Sequence, residues 1–447
     1  MGKATGFLSL QRQIKQYGYT YSLKTHCRNL MMALGTVSGL CIIMHIHWQE
    51  ILCVMLCTLL SVPAMVRYHY QSNYQEQRFA DSIQYMEYMI YAFLRTPKIL
   101  GALEESVKLC SEGLQPWMEK AMDRIRYAQE YEELYSDAMK QVEHVYGCSR
   151  MKELHRFFIQ VEQQGGEYKH SLQLLLDDIR QWAEMIGQLQ QERKKLQQKV
   201  ILSIGLSIAT AVTMVSLLPN DVGDITQNGL YQYGSVVFLL CSFGIYLLSA
   251  KSLVRNWLGY EESEQEIRKA YLYCVEHDRK NNRHYRFQKR KVENHIKKEF
   301  PVWLRHVILN MQTENVFMAM HKAAEETSYI LKSELEAAFL TIEKKPESME
   351  GYQSFLLGFD LPSIKNIFLM FYSLNEFGTE EAQGQMNSLI QRNNKLSEQA
   401  ERLINEDSLG IFGIYMLCPM VLAAAKLLLD MWVFVQQFLL FYSNVIQ

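Results

Sequence analysis

Proline and glycine are scarce in this 447-residue chain, at 8 and 23 residues, which leaves little material for a β-sandwich, a glycine-rich enzyme scaffold or a disordered tail. A surplus of either charge is also missing. The 46 Lys and Arg stand against 48 Asp and Glu, a balance that argues against a protein that coats nucleic acid. Nine cysteines occur without a CxxC pair. Cys41, Cys53, Cys57, Cys241 and Cys418 lie in apolar stretches, and Cys27, Cys110, Cys148 and Cys274 in polar helical sequence. No disulfide framework is implied, and the thiols are expected to stay reduced on the cytosolic side.

Signatures of catalysis are lacking as well. No GxxxxGK[ST] run is present to wrap phosphates, and Gly2-Lys3 has neither the spacing nor a preceding strand. There is no HExxH helix and no GxSxG elbow. Asp177 and Asp178 fall on different sides of a helix, so they form no acid/base dyad. His45, His47 and Glu50 cluster at the mouth of an apolar pair and are read as an interfacial turn rather than a metal site. No enzyme activity, cofactor or resident metal is expected.

What is present is apolar sequence gathered into blocks. Hydrophobic residues make up 49% of the chain, yet the mean hydropathy is only -0.13. Residues 30–46 and 51–66 are free of charge and separated by a polar tetrapeptide, as expected of a tight transmembrane hairpin. Residues 200–218 and 230–250 form a second pair. Residues 409–425 are a fifth block, after which Lys426 and Asp430 interrupt an apolar run reaching Tyr442. One helix over 409–444 would be roughly 54 Å long, against a hydrocarbon core of roughly 30 Å. Part of it must protrude, turn back as a sixth span, or lie on the surface.

The distribution of Lys and Arg sets the orientation. Lys3, Arg12, Lys15, Lys24 and Arg28 precede the first block, Arg67 follows the second, and Arg193, Lys194, Lys195 and Lys199 lead into the third. All are expected in the cytosol, whereas the 219–229 loop, with Asp221 and Asp224 but no cation, is expected outside. The chain is therefore expected to be a multi-pass protein of the cytoplasmic membrane with a cytosolic N-terminus. The expected order is a leader (1–29), a transmembrane hairpin (30–67), a cytosolic helical domain (68–198), a second hairpin (199–250), a second cytosolic helical domain (251–408) and a C-terminal span with an external or interfacial tail (409–447).

Both polar regions show apolar residues at helical spacing, as in Met86, Met89, Ile90 and Phe93, or Leu172, Leu175, Leu176 and Ile179, and neither shows strand alternation. The predicted fold class is an all-α integral membrane protein. The two regions also echo each other: "RFFIQVEQQGG", which ends at Gly165 and Gly166, pairs with "MFYSLNEFG", which ends at Gly378. Each is followed about 35 residues later by an apolar block, and upstream "ALEESVKL" pairs with "AMHKAAEE". A duplicated helical domain follows.

Ala102, Leu103 and Glu104, the segment 157–166, the "LLLDDIRQ" run and the "QERKKLQQKV" helix entering the membrane together resemble the type II secretion F-domain family. The likeness is to the form seen in tight-adherence (Tad or Flp) pilus inner-membrane platform proteins. It covers residues 85–218 well and 302–425 weakly. The resemblance implies a non-enzymatic platform of a pilus or secretion machine, between a cytosolic hexameric ATPase and pilin subunits. A second platform protein, or a second copy, would complete the assembly. A transporter or channel subunit and a membrane signalling scaffold are the alternatives.

Three features are candidates for binding. Arg279, Arg283, Arg286, Arg290 and Lys297 make a basic stripe suited to an acidic ATPase surface or anionic lipid, or simply to solvent near the membrane. Glu130, Glu132, Glu133 and Asp137 are an acidic counterpart. Lys426 and Asp430, four apart on one helix face, can pair at the membrane, where an interfacial anchor beside Trp432 or a contact with a pilin helix is expected.

Overall fold

The computed structural model describes residues 7–127, 134–165, 168–217, 225–259, 264–277, 282–311, 314–325, 327–376 and 379–446, with backbone alone at 164, 376, 379–387, 405–409 and 443–446. All regular structure among them is helical, with no strand. Five helices contain a stretch long and apolar enough to cross a membrane. They are α2 (Leu23–Ile43), α3 (Trp48–Arg95), α8 (Lys169–Leu217), α9 (Gly229–Leu253) and the segment Gly410–Tyr442 of α16 (Thr379–Ile446). The chain divides into two compact units.

The first unit comprises Met1–Arg78, Gly187–Trp257 and Asp407–Gln447, and it holds the apolar stretches of all five helices. Its central cluster joins Cys41, Met44, Val54, Ala211, Phe238, Leu239 and Ala423. Residues outside that cluster, such as Leu52, Leu56, Leu202, Val237, Leu417 and Val421, stay exposed, as side chains facing hydrocarbon must. Side-chain caps set the helix starts: the Ser22 hydroxyl accepts from the Thr25 amide at 3.2 Å, and Asn228 accepts from Leu230 at 2.8 Å.

The α2–α3 turn is tight enough to force His45 to φ 50, which costs a non-glycine residue energy and needs outside support. Helix α9 supplies it. Tyr231 donates its hydroxyl to the Met44 carbonyl at 2.8 Å, and the Gln232 amide donates to the His45 carbonyl and accepts from the His47 amide, both at 2.9 Å. The His45/His47/Glu50 segment is thus a braced turn, and no metal-binding group is found among the described residues.

The leader also has structure that its polar composition hid. In α1 (Phe7–Gln16), Leu10 and Ile14 are buried with Tyr21, Val62 and Val66. At the other end, α16 continues unbroken through Ile446, so the C-terminal apolar run does not turn back as a sixth span. Pro419 lies inside it and removes the amide that would bond to Tyr415. Ser203 of α8 donates to the nearby Met416 carbonyl at 2.7 Å, satisfying backbone in that loosened turn.

The second unit comprises Phe79–Ile186 and Leu258–Glu406, so the two polar regions share one compact body. Its first part contains α4 (Ile99–Ser106), α5 (Gln115–Tyr127), α6 (Leu134–Tyr146) and α7 (Ser149–Gln164) beside the ends of α3 and α8. Phe93 stacks on Phe158 at 4.4 Å, and Glu162 accepts from the Ile99 amide at 2.7 Å and the Tyr135 hydroxyl at 3.0 Å, tying α7 to α4 and α6. Gly165 ends α7 at φ +71, a conformation that favours glycine. The second part contains α10 (Glu264–Glu276), α11 (Arg283–Asn310), α12 (Val316–Ala324), α13 (Tyr329–Lys344), α14 (Glu350–Gln353) and α15 (Pro362–Glu376). Its core is aromatic, with Phe300, Trp303, Phe355, Phe368 and Phe371 all buried. Segment "RFFIQVEQQGG" falls at the end of α7, before α8, and "MFYSLNEFG" at the end of α15, before α16.

Candidate functional site

Helix α11 carries Arg305 within the apolar sequence VWLRHVIL, on the same buried side as Trp303, Leu304 and Ile308. A guanidinium there must meet carboxylates, because an unpaired buried charge costs several kcal/mol. Arg305 donates from Nη1 to both carboxylate oxygens of Glu153 on α7, at 3.2 and 3.1 Å, and its Nε lies 3.4 Å from Asp178 on α8. His306 places Nε2 2.9 Å from Glu153. Arg150, one turn before Glu153 on α7, donates to Asp178 at 2.8 Å and lies 4.5 Å over the Trp182 ring. Trp182 in turn donates to Glu401 of α16 at 3.2 Å and meets Phe79 edge-on at 4.9 Å.

The cluster therefore knots α7, α8 and α11 together, with residues from both polar regions of the sequence. Burial alone would raise the Glu153 carboxyl, but the Arg305 charge, the His306 hydrogen bond and Arg150 outweigh it and hold the group at about 2. Burial opposes the Arg305 charge, yet Asp178 and Glu153 raise its pKa above the usual arginine value. The Cys148 thiol beside the cluster is pushed up to about 11 by burial. Glu153 stays ionised and the thiol stays neutral near pH 7, so the cluster is suited to holding the three helices in register.

A second buried network sits between α3, α6 and α7. Tyr85 and His155 share a hydrogen bond of 2.9 Å, and His155 contacts Glu143 at 2.7 Å. The order Tyr, His, Glu looks like a nucleophile with its base. Tyr85 and His155 are 0% and 1% exposed, and burial lifts the Tyr85 hydroxyl well above its usual pKa. Glu143 is partly exposed at the rim, and the hydrogen bonds through His155 bind the three helices to one another.

The residues singled out from the sequence scatter differently. Arg283, Arg286 and Arg290 are exposed on α11 and Lys297 is half-buried, on the side away from Trp303 and Ile296; Arg279 lies outside the described residues. Of the acidic patch, Asp137 pairs with Lys140 at 3.0 Å and Arg124 at 3.8 Å, while Glu130, Glu132 and Glu133 lie outside the described residues, as do Gly166 and Gly378. Asp178 points into the cluster while Asp177 stays exposed, so the adjacent pair is divided between two faces.

Lys426 and Asp430 are the most deeply buried of the residues singled out. They pair on α16 with only 4% and 0% of their surfaces exposed, and the Lys426 ammonium sits 3.9 Å over the Tyr231 ring of α9. The pair is buried within the first unit, whereas the neighbouring Trp432 is 61% exposed. Asp430 keeps one carboxylate oxygen buried without a hydrogen-bond partner among the described residues. Gly234 lets the two helices approach, since a Cβ there would come within 2.9 Å of Leu429.

Sequence reasoning missed Arg150, Glu153, Arg305 and His306. Arg305 had a signal, a charge at a core position of an amphipathic helix; the others resemble ordinary surface residues until the fold brings them together. No family model, curated protein or solved structure matches this chain.

Proposed function

We propose that this protein is a non-enzymatic membrane platform of a pilus or secretion machine of the type II F-domain kind, passing motion from a cytosolic ATPase to pilin subunits in the bilayer. One observation carries the reading. Helices α3, α8 and α16 each run without a break between a polar stretch belonging to the second unit and a membrane-crossing stretch belonging to the first. A tilt or rotation imposed on one end of such a helix is delivered at the other. The repeated order of α7 before α8 and α15 before α16 supports a duplicated domain. The exposed Arg283, Arg286 and Arg290 offer a contact for an acidic partner surface.

The test is crosslinking in intact cells, mild-detergent purification and identification of the co-purifying proteins. A hexameric secretion-type ATPase and a small single-span pilin are expected; recovery of the protein alone, or with unrelated transport proteins, removes the reading. Leu196→Pro in α8 is expected to abolish fibre assembly while membrane insertion survives.

A transport role is the second reading, favoured by the buried Lys426–Asp430 pair, because ionisable residues inside spans often line ion pathways. Isotope flux into proteoliposomes separates the two: flux that Asp430→Asn abolishes supports transport.

A further inference from the structure

Helices α2, α3, α8 and α9 of the membrane unit leave two adjoining cavities between them. The inner one, about 270 Å³, is walled largely by apolar side chains such as Val37, Val54, Ile208 and Phe243. The outer one, about 820 Å³, has Arg28, Asn29, His69, Asn73, Lys194 and Gln197 in its wall. Ala33, Thr36, Met65 and Tyr246 belong to both walls, so the two spaces meet.

Three of the four helices turn polar at the outer wall, with Arg28 and Asn29 on α2, His69 and Asn73 on α3 and Lys194 and Gln197 on α8, while α9 adds Tyr246, Ala250 and Leu253 there. Going from outer to inner wall, α2 passes from Arg28 to Leu40 and α8 from Lys194 to Ile208, while α3 runs the other way from Val54 to His69 and α9 from Leu239 to Leu253. Each path covers about 18 to 22 Å at about 1.5 Å per residue, slightly more than the roughly 15 Å of hydrocarbon in one leaflet. The apolar cavity thus lies at acyl-chain depth and the basic mouth at headgroup depth.

Charge selects the occupant. Among the described residues no Asp or Glu lines either cavity. Among the described residues Arg28 has no carboxylate partner, and Lys194 meets Glu76 at 2.7 Å outside the wall. An anionic headgroup entering here meets Arg28 and the Lys194 donors not taken by Glu76, whereas the ammonium of a zwitterionic headgroup meets the same cations and no carboxylate in the wall. A free phosphate would leave the inner cavity unused. We infer that the paired cavities bind one anionic phospholipid, its phosphate at Arg28 and Lys194 and an acyl chain between α2, α3, α8 and α9. The inference is independent of the platform reading and requires only that this unit lies in a bilayer.

The test uses the full-length protein in mild detergent, offered equal amounts of phosphatidylglycerol and phosphatidylcholine with the same acyl chains, with retained lipid read by native mass spectrometry. One phosphatidylglycerol should be held with roughly tenfold preference, equivalent to about 1.4 kcal/mol. Arg28→Gln with Lys194→Gln should bring the preference to about one without changing the number of acyl chains that fit. Ala33→Phe, at the junction of the cavities, should lower retention of both lipids. Arg28 and Lys194 are exposed, so the double variant should keep wild-type helicity and elution, and if it does not fold, the wild-type preference decides alone. Equal retention of the two lipids by the wild type, or an undiminished preference in a folded double variant, overturns the inference. So does displacement of phosphatidylglycerol by millimolar inorganic phosphate, which would assign the mouth to a soluble anion.

Discussion

Arg305 and Glu153 show how a buried charge is kept only by its partners. Replacing Arg305 with Met leaves Glu153 without its main counter-charge, and Asp178 with Arg150 alone. The expected loss is about 3 to 5 kcal/mol of stability, while Glu153→Leu combined with Arg305→Met should recover most of it, since a well-packed apolar pair often matches a buried ion pair. Thermal unfolding of the purified variants decides this, and a double variant as unstable as Arg305→Met would refute the account. The pH dependence follows from the same residue. The Glu153 carboxyl titrates near 4.5 in an unfolded chain and at about 2 when folded. Its contribution is complete above about pH 4.5 and is lost as pH falls toward 2, on the order of 3 kcal/mol in all. The melting-temperature gap between wild type and Glu153→Gln should therefore be constant from pH 7 to 5 and close in more acid solution. A gap that persists unchanged at pH 3 would place the stabilisation elsewhere.

At the level of elements, the helices were legible in the sequence and their junctions less so. The apolar blocks at 30–46, 51–66, 200–218 and 230–250 lie almost wholly within α2, α3, α8 and α9, because a run of apolar residues of bilayer length has few other solutions. What the blocks could not show is that the polar "QERKKLQQKV" sequence and the span after it are one helix with the "LLLDDIRQ" run, from Lys169 to Leu217. Nor could spacing show α9 against α16, which depends on Gly234 facing Leu429. The buried site was hidden for a related reason: residues 150, 153, 178 and 305 belong to three helices, and no periodicity within one helix reports a meeting of three. The α9–α16 contact can be probed directly. Gly234→Ala asks only the flexible end of Leu429 to move and should be tolerated, whereas Gly234→Val should cost about 1 to 3 kcal/mol by overpacking. Thermal stability of the two variants in detergent checks this; equal stability would mean the helices have room to spare. Gly187, with nothing near a Cβ and a place in the interior of α8, makes the opposite case. Gly187→Ala should raise stability by about 0.5 to 1 kcal/mol, and if α8 transmits motion as a rigid rod, assembly should survive the stiffening.

For the whole molecule, the five described helices long and apolar enough to cross a membrane make a parity argument. An odd number puts the two termini on opposite sides of the bilayer, and the unbroken course of α16 to Ile446 is what keeps the number odd. By the positive-inside rule, the cations around Arg28, Arg67 and Arg193 are expected to put the polar ends of α2, α3 and α8 in the cytosol, and with them the N-terminus. A returning helix through residues 427–442 would have brought the C-terminus back to the same side, and Leu428, Trp432 and Leu439 remain exposed along a straight course instead. The cysteines give a readout that needs no fusion. Cys27 is exposed near the polar end of α2, whereas Cys110 and Cys148 are buried with thiols held at about 12 and 11, both too high for ready thiolate formation at neutral pH. A membrane-impermeant maleimide should therefore leave intact cells unlabelled at Cys27 and label it once the membrane is opened, with Cys110 and Cys148 reacting only after denaturation. A cysteine placed after Gln447 in a Cys27→Ser background should label in intact cells. If that C-terminal thiol also waits for permeabilisation, the count of spans is even, one of the five helices does not cross, and the path by which α16 could carry motion through the bilayer is lost.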